Sequence, residues 1–88
     1  DLHDVRGAVG RLTAIDLEAR TAVIGGEAYT LGPAFEPPVI MLRGVFGATV
    51  QQLVVGMFLG VKYTDVDGQR QLLAIRHFDG LGLEQEQK

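Results

Sequence analysis

The sequence predicts a mainly β fold: a small five- or six-stranded barrel, OB-like or SH3-like, with one short helix. Twelve glycines in 88 residues separate short runs of Val, Ile, Leu and Thr, which is typical of bent strands joined by tight turns. Hydrophobic residues make up 47% of the chain, enough for one folded core. We therefore expect a single barrel domain over residues 1–80 and a flexible polar tail over residues 81–88.

Three strands are predicted in the first third of the chain. Apolar residues from Val5 to Ile15 indicate the first strand, and the change in their phase around Gly10 predicts a glycine bulge there. Thr21 to Ile24 and Glu27 to Leu31 indicate the second and third strands, joined by a hairpin turn at Gly25-Gly26. The three strands should form an antiparallel meander.

A proline-rich connection and a short helix are predicted in the middle of the chain. Gly32 to Pro38 contains three prolines, which favours a stiff extended segment. Val39 to Leu42 then indicates a short strand. Thr49 and Gln52 match a capping box, and Gly56 can end a helix in the left-handed conformation, so one or two helical turns are expected between them.

A closing hairpin is predicted for the last third. Met57 to Tyr63 alternates between two faces, Asp65 to Gly68 forms a turn, and Gln69 to Phe78 forms the last strand. Three strands, a helix and a hairpin follow the element order of an OB-fold. An SH3-like barrel with an added strand at Val39 to Leu42 is the alternative.

The residue types argue against catalysis. The chain contains no Cys, Ser, Asn or Trp, which excludes serine and cysteine nucleophiles, disulfides and thiolate metal sites. No acid, base and electrophile converge in the sequence, so we expect no enzyme, no catalytic residue, no cofactor and no resident metal. His3 could bind Cu(II) or Ni(II) only if Asp1 were a true mature terminus. His77 reads as a structural or surface histidine.

Other classes of site are also disfavoured. Nucleic acid is an unlikely partner, because the net charge is −3 and the basic residues are spread along the chain. Strand alternation should place Lys62 and Tyr63 on opposite faces, which would split a cation and aromatic platform. Asp65 to Gly68 lacks the remaining ligands of a calcium loop and reads as a turn. The apolar run Leu53 to Val61 is too short to span a membrane.

The best candidate for a functional surface is a surplus of apolar side chains. The segments Val39 to Leu42 and Met57 to Leu59 are apolar on both alternating faces, whereas one small barrel has only one inside. Either the chain covers the outer set itself, or a partner protein or a second copy does. The predicted partner-binding residues are Val39, Ile40, Met41, Leu42 and Phe58.

A pattern of turn and core positions extends from about Val5 to Phe78. Its members are Gly7-Ala8-Val9, Ile15-Asp16, Thr21 to Ile24, Tyr29-Thr30-Leu31, Leu53 with Gly56, Val61 with Tyr63, and Ile75. The pattern resembles small periplasmic accessory proteins of bacterial type IV pilus biogenesis. The resemblance implies a periplasmic or secreted β-rich module without enzymatic activity, which acts in pilus assembly by binding another protein.

We therefore expect a non-enzymatic, protein-binding accessory module, with self-association as one form of that binding. The alternative is an OB-like domain that binds nucleic acid or a small ligand on its barrel face.

Overall fold

The structure is a computed structural model that describes residues 5–33, 35–42 and 45–77. The predicted tail, His3 and Phe78 lie outside these residues. The described elements are β1 (Arg6–Asp16), β2 (Thr21–Ile24), β3 (Glu27–Thr30), β4 (Val39–Leu42), β5 (Val45–Phe46), a 3₁₀ turn (Val50–Gln52), β6 (Phe58–Val66) and β7 (Gln69–His77).

Five of the strands close into a barrel. The sheet order runs β3-β2-β1-β6-β7, and β3 returns to β7 through a parallel pairing of Thr30 with Gln71. β4 pairs in parallel with the C-terminal half of β7, and β5 pairs with the other edge of β4. The predicted mainly β barrel is confirmed, including the three-stranded meander and the closing hairpin.

The bend in β1 allows this closure, because the strand pairs with β6 through its N-terminal half and with β2 through its C-terminal half. At the bend the backbone of Gly10 meets that of Gly25. A Cβ atom on Gly10 would lie 2.6 Å from the Gly25 Cα, which is closer than atoms can approach. Gly10 is therefore required by a close contact between two backbone segments.

The bulge in β1 lies three residues beyond the predicted position. Leu12 pairs with Ile24 and Ala14 pairs with Val23, so Thr13 is the extra residue, and its hydroxyl donates to the Val23 carbonyl at 3.3 Å. The prediction of a bulge at Gly10 was wrong, because Gly10 and Leu12 keep the same phase and only the residues after Thr13 change it.

The two predicted hairpin turns are confirmed. Gly25 and Gly26 both have positive φ, at 60° and 84°, and join β2 to β3. Asp67 and Gly68 have φ of 53° and 81° and join β6 to β7. Positive φ at both central residues matches the right-handed twist of the flanking strands, which is why Gly and Asp occupy these positions.

The predicted helix is only one 3₁₀ turn. Its start is as expected, since the Thr49 amide donates to Gln52 Oε1 at 2.8 Å. The turn ends at Leu53, which is extended and buried in the core. Gly56 does not end a helix; its amide donates to the Leu12 carbonyl at 2.8 Å. Gly56 therefore hydrogen-bonds to β1 instead of continuing the helix.

The proline-rich connection contains a turn that the sequence did not predict. The Glu36 amide donates to the Pro33 carbonyl at 3.0 Å, and Phe35 projects into solvent. The Arg20 guanidinium holds the start of the connection through its Nε, which donates to the Gly32 carbonyl at 2.9 Å. The connection is therefore not extended throughout, as the prolines had predicted, but contains a turn at residues 33–36.

One hydrophobic core fills the barrel and extends under β4. Tyr29 and Tyr63 meet edge to face inside it, with ring centroids 5.3 Å apart. Burial, with a smaller effect of Tyr63, raises the pKa of the Tyr29 hydroxyl above 10.0. The buried members of the core are Leu12, Ala22, Ile24, Tyr29, Leu31, Ile40, Val50, Leu53, Leu59, Val61, Leu72 and Ile75.

Replacing Gly10 with Ala should destabilise the fold by about 1–3 kcal/mol, because the added methyl group forces β1 and the β2–β3 turn apart. Urea denaturation measures the loss. Gly7→Ala is the matched control in the same strand, since its Cβ would lie 3.7 Å from the Val61 carbonyl oxygen, an ordinary contact. Equal stability of the two variants would contradict the close-contact explanation.

Candidate functional site

The outer face of β1, β6, β7 and β4 carries two rows of side chains that run across the strands. Strand pairing sets both rows, because residues opposite each other on neighbouring strands point to the same side. The first row is Gly7, Lys62, Ala74 and Val39. The second row is Val9, Gly60, Arg76 and Met41.

These two rows line a groove of about 510 Å³, called here the outer groove. Its floor is low because Gly7, Gly60 and Ala74 have little or no side chain. Its sides are aliphatic: Val9 on β1 is 60% exposed and Val39 on β4 is 57% exposed. Two strongly exposed valines that are 30 positions apart in the sequence therefore border one concavity.

The groove also contains positive charge. Lys62 and Arg76 line it, and none of its described lining residues is acidic. Beside the groove, Arg11 lies over the Phe58 ring, with its guanidinium carbon 5.6 Å from the ring centroid. Arg11 Nη1 also donates to the Gly56 carbonyl at 2.7 Å, which fixes this cation in place.

The five predicted partner-binding residues divide between the two sides of the sheet. Val39 and Met41 border the outer groove, and Phe58 lies next to it under Arg11. Ile40 is only 1% exposed and Leu42 packs against the core. The side chain of Ile40 therefore supports the barrel from inside and is not part of the exposed surface.

The cation and aromatic platform is split as the sequence predicted. Lys62 is exposed, whereas Tyr63 turns inward onto Tyr29. His77 is half-buried at the end of β7 and faces Leu42 and Leu59 through strand pairing. Within residues 5–33, 35–42 and 45–77, no group of three metal-ligating side chains comes together.

A second, smaller hollow of about 360 Å³ lies between the β1–β2 turn and the β6–β7 turn. Its one aromatic residue among those described is Tyr29, whose ring is buried. Its cation, Arg70, is held by Glu27, with Nη1 3.2 Å from the carboxylate oxygen. This hollow offers neither a stacking surface nor an uncommitted cation within the described part of the chain.

Sequence reasoning missed the floor of the outer groove and its β1 side. It predicted that Lys62 lies on the face opposite Tyr63, which is confirmed, but it did not connect Lys62 with Gly7, Val9 or Ala74. The alternation of side chains within each strand can be predicted from the local sequence. The register that sets Gly7 opposite Lys62, 55 positions away, cannot be predicted in this way.

Fold and surface together define a class: a small closed β-barrel with an added strand and an exposed, partly apolar groove. Across the described ranges, no helix has the length and apolar character needed to cross a membrane. The chain is similar in structure to a fimbrial biogenesis protein, PilY2, from Pseudomonas aeruginosa, with a TM-score of 0.65 and 15% sequence identity. The match covers 97% of this chain and 100% of that chain, and at this identity it shows the fold. No family model and no curated protein matches the sequence.

Ile40→Ala should cost about 2–5 kcal/mol of stability, because it leaves a cavity in the core. Val39→Ala, one residue away on the exposed side, should change stability by about 0.5 kcal/mol or less. Chemical denaturation of both variants checks the division of β4 into a buried and an exposed side. Similar losses for the two variants would contradict it.

Proposed function

We propose that the chain is a non-enzymatic accessory module of type IV pilus assembly, which acts in the periplasm or as a secreted protein by binding another protein. The observation that carries the proposal is the outer groove, because exposed aliphatic side chains that gather in one concavity are characteristic of protein interaction sites. The likeness in fold to a fimbrial biogenesis protein supports the link to pilus assembly.

The proposed contact residues are those that reach the groove from outside. Val39 and Met41 form one side of it, Val9 forms the other, and Phe58 with Arg11 extends the surface beyond it. Ile40 and Leu42 contribute by holding β4 against the core, so that the exposed members of the strand stay in position. Binding then requires little ordering of the surface, which favours affinity.

The alternative function is an OB-like domain that binds nucleic acid or a small ligand. One observation favours it: the barrel closes through β3 and β7, and the second hollow lies between the two turns where OB-folds bind ligands. The buried Tyr29 ring and the Arg70–Glu27 ion pair weigh against it. Oligonucleotide binding at low salt that Arg70→Gln weakens would favour this alternative.

Val39→Asp should abolish surface pili in the bacterium that encodes the chain, as deletion of the gene should, because a carboxylate on the groove side opposes burial by a partner. Electron microscopy counts the pili. Leu17→Asp is the matched control, since Leu17 is exposed, at 41%, in the β1–β2 turn outside the groove. It should leave piliation unchanged.

Two further measurements complete this test. Immunoblotting and thermal melting show that both variants accumulate and fold, so that loss of pili reports on the surface. Normal piliation with Val39→Asp, in a strain where deletion removes pili, would contradict the groove as the contact site. Normal piliation after deletion would contradict the role in pilus assembly.

A further inference from the structure

The charge of the outer groove is opposite in sign to that of the whole chain. The chain carries a net charge of −3, yet the described lining of the groove contains Lys62 and Arg76 and no carboxylate. The described carboxylates lie in turns, in the β3–β4 connection or near strand ends. They are Asp16, Glu18, Glu27, Glu36, Asp65 and Asp67.

The distance between the side chains of Lys62 and Arg76 matches the side-chain repeat of one extended peptide segment. Lys62 faces Ala74 and Arg76 faces Gly60, so the two cations are diagonal neighbours on adjacent strands. Diagonal neighbours in an antiparallel pair lie about 7–8 Å apart. Side chains on one face of an extended segment repeat about every 6.8 Å. Carboxylates at alternate positions of such a segment match this spacing.

The remaining surface of the groove suits the same kind of segment. Gly60 pairs with Arg76, and Ala74 pairs with Lys62. Because Gly60 and Ala74 are small, the main chain of a bound segment can approach the sheet closely between the two cations. Val9, Val39 and Met41 border the floor on both sides. β1 and β4 are three strand spacings apart, about 14 Å, which is wide enough for one extended peptide with its side chains.

We propose that the outer groove binds an extended, acidic and aliphatic segment of a partner protein. Two carboxylates at alternate positions pair with Lys62 and Arg76, and aliphatic side chains on the same face contact Val9, Val39 and Met41. This inference rests on the proposed protein-binding function and adds the chemistry of the partner. The aliphatic borders of the groove and the net negative charge of the chain favour a protein segment over nucleic acid or an anionic membrane.

The probe is a fluorescein-labelled peptide with capped ends, Val-Thr-Glu-Thr-Glu-Thr-Val, which places two carboxylates and two valines on one face. Its matched control replaces both Glu with Gln. In low salt, the full chain should bind the Glu peptide at least 10-fold more tightly than the Gln peptide. Amide NMR shifts on binding should centre on Gly7, Gly60 and Ala74.

Variants then test the two cations. Lys62→Gln combined with Arg76→Gln should remove the preference for the Glu peptide, whereas Arg70→Gln, outside the groove, should retain it. Equal binding of both peptides to the unmodified chain, or shifts that map to the second hollow, would overturn the acidic segment. Suppose that, in a deletion strain, the gene with both Lys62→Gln and Arg76→Gln restores normal piliation, whereas the gene with Val39→Asp does not. Then only the charge inference fails and the proposed function stands.

The same amide NMR shifts show whether another molecule or segment, rather than an acidic peptide segment, occupies the groove. Groove shifts that appear on concentrating the protein alone, with a dimeric mass by light scattering, would assign the groove to a second copy. Groove shifts that change when the chain is ended at His77 would assign it to residues 78–88. Tighter binding of an oligonucleotide or of phosphatidylglycerol vesicles through Lys62 and Arg76 would assign it to another class of partner. Each of these results would overturn the inference.

Discussion

The contact between the backbones of Gly10 and Gly25 is the constraint on which the rest of the architecture depends. Because neither residue has a side chain, β1 can turn from β6 toward β2 and belong to both halves of the barrel. Before the bend, the register of β1 with β6 sets Gly7 opposite Lys62 and Val9 opposite Gly60. Gly7 and Val9 therefore lie on the outer face and line the outer groove.

One apolar segment, β4, contributes both to the core and to the exposed groove of this small protein. It pairs with β7 beyond the point where β3 ends its pairing, so it lies outside the closed barrel but still covers its core. Ile40 faces inward while Val39 and Met41 face outward. The surplus of apolar side chains evident in the sequence is thus divided: part of it completes the core, and part of it borders the groove.

The strands and hairpins could be predicted because their signals are local. Gly25-Gly26 and Asp67-Gly68 have the residue types that positive φ requires, and alternation shows which side chains share a face. The predicted one or two helical turns are reduced to one 3₁₀ turn, because the buried, extended Leu53 follows the capping box directly. The groove could not be predicted, because its rows combine residues from four strands whose register is set by tertiary pairing.

If a partner protein binds the outer groove, as we propose, site-specific crosslinking should capture it there. A photoreactive benzoylphenylalanine placed at Val39 in living cells of the organism that encodes the chain, with one at Leu17 as reference, reports which position a partner covers. We expect one discrete crosslinked product from Val39, joined to an acidic and aliphatic segment of another polypeptide, and none from Leu17. A product from Leu17 alone would show that the partner binds elsewhere than the outer groove.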